Sequence, residues 1–306
     1  MTTAVVIALI ASFLWAATSH IDKYLLCKID SSTSSIKTLM IFSTFVAGLV
    51  VAPVWLVMNK FQVQIDILAL LITFLASIIY VLATYVYFKG LEKNDASIVI
   101  VIFQLIPVFS YILGLIFFNE TLGLNQIIGG LIIISSAIII SFDFGEKSSK
   151  NKTMALILIT LSSFLSSLYY ILFEVAMRRS SYNAVMLWYQ IGLILIGIVF
   201  LLINSYRKEF MNMIKKNGKK FISINVVNEG INLVSHSMVN FANLTIPLAL
   251  ANVLNGFQGA FVFFIGAVGM MIVPKVFSED LSKKVVLQKV SCIILGIIGM
   301  AVMFLY

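Results

Sequence analysis

Apolar residues run through this chain in long unbroken blocks, separated by short polar stretches. A hydrocarbon core about 30 Å thick needs about 20 apolar helical residues to cross it. Ten blocks meet that requirement, at roughly 4–26, 35–58, 66–88, 96–118, 125–142, 153–176, 184–203, 221–243, 248–273 and 285–305. The pattern predicts an all-α integral membrane protein of ten transmembrane helices. The connections carry turn residues, as in Asp30-Ser31-Ser32, Lys93-Asn94-Asp95 and Asn217-Gly218. Only 204–220 is long enough for an amphipathic surface turn, and no stretch holds a soluble domain. The first block has no Lys or Arg before Lys23 and is too long for a signal-peptide core, so it reads as the first span.

Composition removes the soluble alternatives. Apolar residues are 61% of the 306 and charged residues 11%, against about 45–50% and about 25% in soluble domains. The two cysteines, Cys27 and Cys292, define no disulfide framework or metal site. The net charge of +8 is read as basic cytoplasmic loops rather than nucleic-acid binding. Loops 1–2, 3–4, 5–6, 7–8 and 9–10 hold 2, 2, 3, 6 and 4 Lys/Arg. The opposite side holds only Lys60, Arg178 and Arg179. This asymmetry predicts that both termini are outside.

The chain also repeats itself. Ser12-Phe13-Leu14 matches Ser163-Phe164-Leu165, Phe103-Gln104 matches Phe257-Gln258, and Glu120 aligns with Glu279. These matches predict two five-helix repeats, 1–143 and 152–306, joined by a linker at 144–151. A copy with an odd number of spans starts from the opposite side, so the repeats would be inverted. Secondary transporters use that architecture, with the site between the halves near the midplane.

Polar residues fall in stripes. In lipid, a polar side chain needs a partner or a wet cavity. Span eight carries Asn225, Glu229, Asn232, His236, Asn240 and Asn243 at steps of three and four, which is one helical face. Span three carries Thr73, Ser77, Tyr80, Thr84 and Tyr87. Span six carries Thr160, Ser163, Ser167, Tyr170 and Glu174, and span one carries Ser12, Trp15, Ser19 and Asp22. Spans four and nine add Gln104, Asn252, Asn255 and Gln258, with Pro107 mid-helix and Pro247 at the start of span nine. Together these predict a central cavity. The alternative for the Ser/Thr stripes is close helix packing.

Glu229 stands out among the ionisable residues. It lies about nine residues into its span, has no basic residue within a turn, and shares a face with His236. An ionised carboxylate there costs about 2.5 kcal/mol or more unless solvated or paired. It is a candidate proton carrier or cation site, and the alternative is a Glu229–His236 hydrogen bond that locks the helix. Glu174 and Arg178 form a candidate surface pair, and Lys23 reads as a snorkelling lysine. His20, Asp22, Glu229 and His236 include plausible metal ligands, but their spacing is not that of a metal site. No dinucleotide, Walker, zincin or serine-hydrolase motif occurs. Neither a cofactor nor a metal is expected.

Several tracts resemble the EamA domain of the drug/metabolite transporter superfamily. They are Phe13-Leu14-Trp15-Ala16 with Lys23 eight positions after the Trp, and Gln104-Leu105-Ile106-Pro107-Val108. Phe118-Asn119-Glu120-Thr121-Leu122, followed by Gln126 and Gly129-Gly130, resembles the signature at the end of the fourth helix. Phe277-Ser278-Glu279-Asp280-Leu281 repeats it in weaker form. The resemblance covers nearly the whole chain. It implies ten helices in two inverted EamA repeats and transport of small metabolites, amino acids prominent among them. It also implies cytoplasmic termini, against the loop charges. His20-Ile21-Asp22 departs from the family by placing ionisable residues where it is usually apolar.

The expectation is a secondary active or facilitative transporter of a small polar metabolite, an amino acid or amine first. It would work by alternating access, with protons as a candidate coupling ion. The substrate-binding candidates are Trp15, Ser19, Asp22, Tyr80, Tyr87, Gln104, Ser167, Tyr170, Glu174, Glu229, Asn232, His236, Asn240, Asn255 and Gln258. The alternatives are an exporter or flippase of amphipathic drugs or lipid-linked sugars, and an intramembrane acid/base enzyme. A multi-pass protein of a bacterial inner membrane, monomer or homodimer, is expected, with the bilayer as partner and no nucleic acid.

Overall fold

The computed structural model describes residues 2–27, 35–92, 94–118, 123–141, 149–243, 254–274, 276–277 and 279–304. Lipid offers the backbone no hydrogen bonds, so long apolar runs satisfy their own as helices. Among the described residues the chain is helical with no strand. Helix α1 is Thr2–Cys27. Helix α2, Ser35–Ile41, runs through a π-helical turn, Phe42–Val46, into α3, Ala47–Met58. Then follow α4, Ile67–Glu92, and the pair α5, Ala96–Phe103, and α6, Leu105–Phe118. Helices α7, Leu124–Ser141, α8, Ser149–Met177, and α9, Tyr182–Leu202, complete the middle of the chain. Helix α10 is Asn204–Asn243, α11 is Gln258–Ile272 and α12 is Lys283–Phe304.

Seven segments are long and apolar enough to cross a membrane: Thr3–Cys27, Ile36–Met58, Ile67–Glu92, Ala96–Phe118, Thr153–Met177, Tyr182–Leu202 and Lys283–Met303. Leu124–Ile140 and Gln258–Ile272 are apolar but shorter. The chain is a multi-pass membrane protein. Its outer faces are correspondingly greasy. Leu71, Leu75, Ile78 and Leu82 line one side of α4 and are all exposed, while Thr73 and Ser77 on the other side are buried. That arrangement is the reverse of a soluble helix and fits a hydrocarbon solvent.

One expectation about connections is corrected. Residues 204–220 are no surface loop: α10 runs without a break from Asn204 to Asn243, and Asn217-Gly218 lies inside it. Gly218 has a helical neighbourhood and an open flank, so the helix simply continues past it. Of the linker, 144–148 lie outside the described residues, and α8 begins at Ser149. The fourth span is interrupted at Gln104, whose N–H bonds Val101 O at 3.3 Å in a tighter turn. Pro107 therefore sits in the first turn of α6, where the missing N–H leaves no intrahelical bond unmade. Pro247 and Asn252 lie outside the described residues.

Packing follows a set of pairs. Helix α1 lies along α10, and α4 along α8; α6 also packs on α8, and α11 on α1. Helix α4 packs on α9 and α10 on α2, while α7 lies along α12. The α7–α12 crossing needs glycine. A methyl group on Gly129 would strike the Gly299 carbonyl and the Met303 backbone, so the two helices meet backbone to backbone.

Candidate functional site

The α1–α10 contact carries the densest polar chemistry. From α10, Asn228 donates its Nδ2 to Asp22 Oδ1 on α1 at 2.8 Å. The other oxygen, Asp22 Oδ2, lies 3.5 Å from the Tyr87 hydroxyl of α4. Ser19, one turn before Asp22, is buried, and its hydroxyl donates to Trp15 O at 3.0 Å. Glu229 interacts electrostatically with Asp22, and Tyr80 with both carboxylates. Two turns further along α10, His236 meets Trp15 of α1 edge to face, with ring centroids 5.1 Å apart. Asn232, partly exposed, lies between Glu229 and His236 on the same helix. Of the predicted residues, Trp15, Ser19, Asp22, Tyr80, Tyr87, Glu229 and His236 thus gather along one seam between α1, α4 and α10, with Asn232 on the α10 stripe between the last two. No Glu229–His236 hydrogen bond is present.

Tyrosines wall the seam on the α8–α9 side. Tyr80 packs 5.4 Å from Tyr169 and 5.7 Å from Tyr189, ring to ring. Tyr169 in turn touches Tyr189, Tyr170 and Phe173. Rings of this kind give a rigid apolar wall with hydroxyl edges, suited to holding a cation or a small polar group.

Other predicted residues take packing roles. Ser167 is completely buried, and its hydroxyl lies within donating distance of two carbonyls, Ile106 O at 2.8 Å and Ser163 O at 2.9 Å. Thr73 and Ser77 donate back to carbonyls of their own helix, at 2.7 and 2.9 Å. Gln104 reaches across to Gly256 O at 3.1 Å and presses on Gly296. Asn255 accepts from the Ser12 hydroxyl at 3.3 Å. Gln258, which is partly exposed, opens α11. Tyr170 is half exposed on the far side of Tyr169. Glu174 is held by Arg178 at 2.7 Å on an exposed surface, the pair anticipated from their spacing, and does not join the seam. The Asn240 side chain lies outside the described residues, as do Asn119 and Glu120.

His20 and Lys23 are engaged elsewhere. The His20 Nε2 is 2.7 Å from Val262 O on α11, and its ring packs on Phe277. Lys23 donates to Leu91 O at 2.6 Å and Glu92 O at 2.8 Å, capping the end of α4. Its ammonium satisfies terminal carbonyls rather than snorkelling to water. Among the described residues no cluster of three or more His, Cys, Asp or Glu side chains is placed to hold a metal.

Two features escaped the sequence reading. Asn228 is one residue off the α10 stripe, yet it makes the direct contact with Asp22. Lys289 is buried within α12 and pairs with Asp95 and Glu279, each at 2.7 Å. The Ser97 hydroxyl donates to Glu279 at 2.7 Å, and the Asp280 N–H to Asp95 at 3.2 Å. A separate apolar groove of about 430 Å³ is lined by Ile7, Val54, Trp55, Met58, Leu233 and Met238.

Residues 2–142 match the EamA-like transporter family. No curated protein matches the chain. A solved structure titled only "Crystal structure of protein" superposes over 100% of this chain and 97% of its own, with a TM-score of 0.53 and 11% identity. That likeness is one of fold over the whole chain and says nothing of family or substrate.

Proposed function

We propose that the whole chain is a secondary active or facilitative transporter of a small polar metabolite, a reading supported by the match of residues 2–142 to the EamA-like transporter family. An amine or amino acid is the leading cargo. The observation that carries this reading is the bond between Asn228 and Asp22, which joins α10 to α1 through a partly buried carboxylate. Around it gather Glu229, Tyr87 and Tyr80, polar groups that a merely structural helix contact does not need.

The transport cycle is alternating access between two inverted five-helix repeats of a ten-helix protein. The pairing of helices supports that symmetry. If the first repeat is α1 to α7 and the second α8 to α12, α4 and α10 are mates, as are α8 and α1. The α4–α8 and α10–α1 contacts then exchange under one twofold operation. So do α6–α8 with α11–α1, and α4–α9 with α10–α2, while α7–α12 maps onto itself. Rocking of the halves would expose the seam to each side in turn. Protons are the proposed coupling ion, carried by Glu229.

A second reading rests on the apolar groove beside Leu233 and Met238. It would suit the tail of an amphipathic cargo such as a drug or lipid-linked sugar. Counterflow into proteoliposomes loaded with a metabolite mixture, read by mass spectrometry, tests both. Exchange of small hydrophilic solutes supports the first reading. Exchange confined to amphipathic compounds supports the second, and no exchange at all refutes transport.

A further inference from the structure

We propose that Asp22, Asn228 and Glu229 form a seat for a protonated aliphatic diamine, and that Asn228 selects ammonium groups that carry N–H. This rests on the transporter reading above and narrows its cargo from amines and amino acids to dications without a carboxylate.

The charge balance is the starting point. Asp22 and Glu229 lie close enough to interact, and Tyr80 feels both. Among the described residues no cation pairs with either. Lys23, next to Asp22 in the chain, is committed to the carbonyls of Leu91 and Glu92. Arg178 is paired with Glu174, and Lys289 with Asp95 and Glu279. Among the described residues the seam therefore holds two carboxyl groups and no countercharge, and a cargo with two positive charges supplies one for each. Buried charges without partners are costly, so complementarity of this kind decides what enters.

Asn228 supplies an independent pointer. Its side chain is 3% exposed. The Nδ2 is bound to Asp22, and the Oδ1 is enclosed and accepts no hydrogen bond. The orientation of this amide is not arbitrary. With Asp22 as the carboxylate, turning it over would press Oδ1 against Asp22 Oδ1, two acceptors with no proton between them. A carbonyl oxygen is thus held beside the carboxylate, where it lacks a donor. An ammonium N–H fits it, and a quaternary ammonium does not. Tyr80 and Tyr87 add ring faces and hydroxyls of the kind that stabilise cations.

The same geometry disfavours zwitterions. No Lys or Arg among the described residues reaches the seam to hold a cargo carboxylate, which would face Asp22 or Glu229 instead. An amino acid would bring a repelled group into the site.

The test uses the full chain, purified in detergent, and isothermal titration with four small probes. They are 1,4-diaminobutane, 1-aminobutane, tetramethylammonium and 4-aminobutanoate. The diamine should bind roughly tenfold or more tighter than 1-aminobutane, since each tenfold reflects one well-placed charge contact. Tetramethylammonium should trail 1-aminobutane, and 4-aminobutanoate should bind most weakly. In Asn228→Leu, which preserves volume, the preference for 1-aminobutane over tetramethylammonium should shrink. The wild-type ranking stands as a test even if that variant fails to fold. Equal or tighter binding of 4-aminobutanoate, or no binding of any amine, overturns the seat. Proteoliposomes separate this from the broader reading. Robust counterflow of zwitterions removes the seat and leaves the transporter. No counterflow of any solute, with the binding order intact, removes the transporter and leaves the seat.

Discussion

The Lys289 ammonium lies 2.7 Å from the Glu279 carboxylate, and the two side chains are 1% and 2% exposed. The same ammonium reaches Asp95 from the far end of the α4–α5 connection, 194 residues away in sequence. The network therefore ties α12 to the start of α5 and closes one end of the bundle. The Ser97 N–H and hydroxyl both point at Glu279, so its carboxylate is saturated. An ion pair this well bonded is hard to break from one side only.

Removing one partner should be more damaging than removing both charges. Lys289→Ala leaves the buried Glu279 carboxylate facing Asp95 with no cation and should cost about 3–5 kcal/mol, the range for breaking a buried pair. Lys289→Met combined with Glu279→Gln should recover a large part of that loss. Thermal unfolding in detergent, followed by fluorescence, reads both. Single and double variants with the same midpoint as the wild type would mean that the ion pair contributes nothing.

Labelling should separate seam from packing. Cysteines at Asn232 and His236, in a background free of Cys27 and Cys292, should react with a water-soluble thiol reagent. A cysteine at Ser167, whose hydroxyl is enclosed against Ile106, should stay unreactive, as should Leu131 on the lipid face. Rapid reaction at Ser167 would mean that the wet region extends between α6 and α8.

Much of this was legible in the sequence, and the failures have physical causes. The apolar blocks predicted the helices because a span has no other way to satisfy its backbone. The α10 stripe led to Glu229 and His236. On α4 and α8, periodicity located polar faces but not their use. Ser and Thr can bond their own helix four residues back, so Thr73, Ser77 and Ser163 need no cavity, whereas Tyr80 and Tyr87 extend beyond the helix and must meet something. Asn228 was missed because the stripe was drawn through Asn225 and Glu229, and a neighbour 100° away can still face α1. Lys289 lies six residues past Lys283, near a basic helix start, and its sequence position does not set it apart from loop charges. Its partners, Asp95 and Glu279, are local to nothing that a pattern along the chain can show. The 204–220 segment reads as a loop by hydropathy, but its residues favour helix and α10 simply continues through them.

Loop charge gives a direct topology test. The first part of α10 carries Arg207, Lys208, Lys215, Lys216, Lys219 and Lys220, the densest basic stretch in the chain. A reporter inserted at Gly218 should report the cytoplasm, and one inserted beside Arg179 should report the outside. The reverse result would show that the family orientation prevails over the charge rule. The helix packing would stand either way, since it does not depend on direction.

Glu229 offers the sharpest functional test. It shares the α10 face with Asn232 and His236, interacts with Asp22, and pairs with no cation among the described residues. Holding an ionised group at that depth costs about 2.5 kcal/mol or more without compensation. A contact that only joined helices could be built more cheaply from an amide. Glu229→Gln keeps size and hydrogen-bonding capacity, so the protein should fold and its melting midpoint should move little. Counterflow of the cargo should fall strongly, or lose its dependence on pH between 5 and 8. Glu229→Asp should keep part of the activity, because the charge remains and only its reach shortens. His236→Ala, which removes the ring against Trp15, should weaken cargo binding more than stability. Wild-type transport by Glu229→Gln across that pH range would strip the residue of both the proton and the cation role. Asp22, already bonded to Asn228 and Tyr87, would then carry the charge chemistry of the seam by itself.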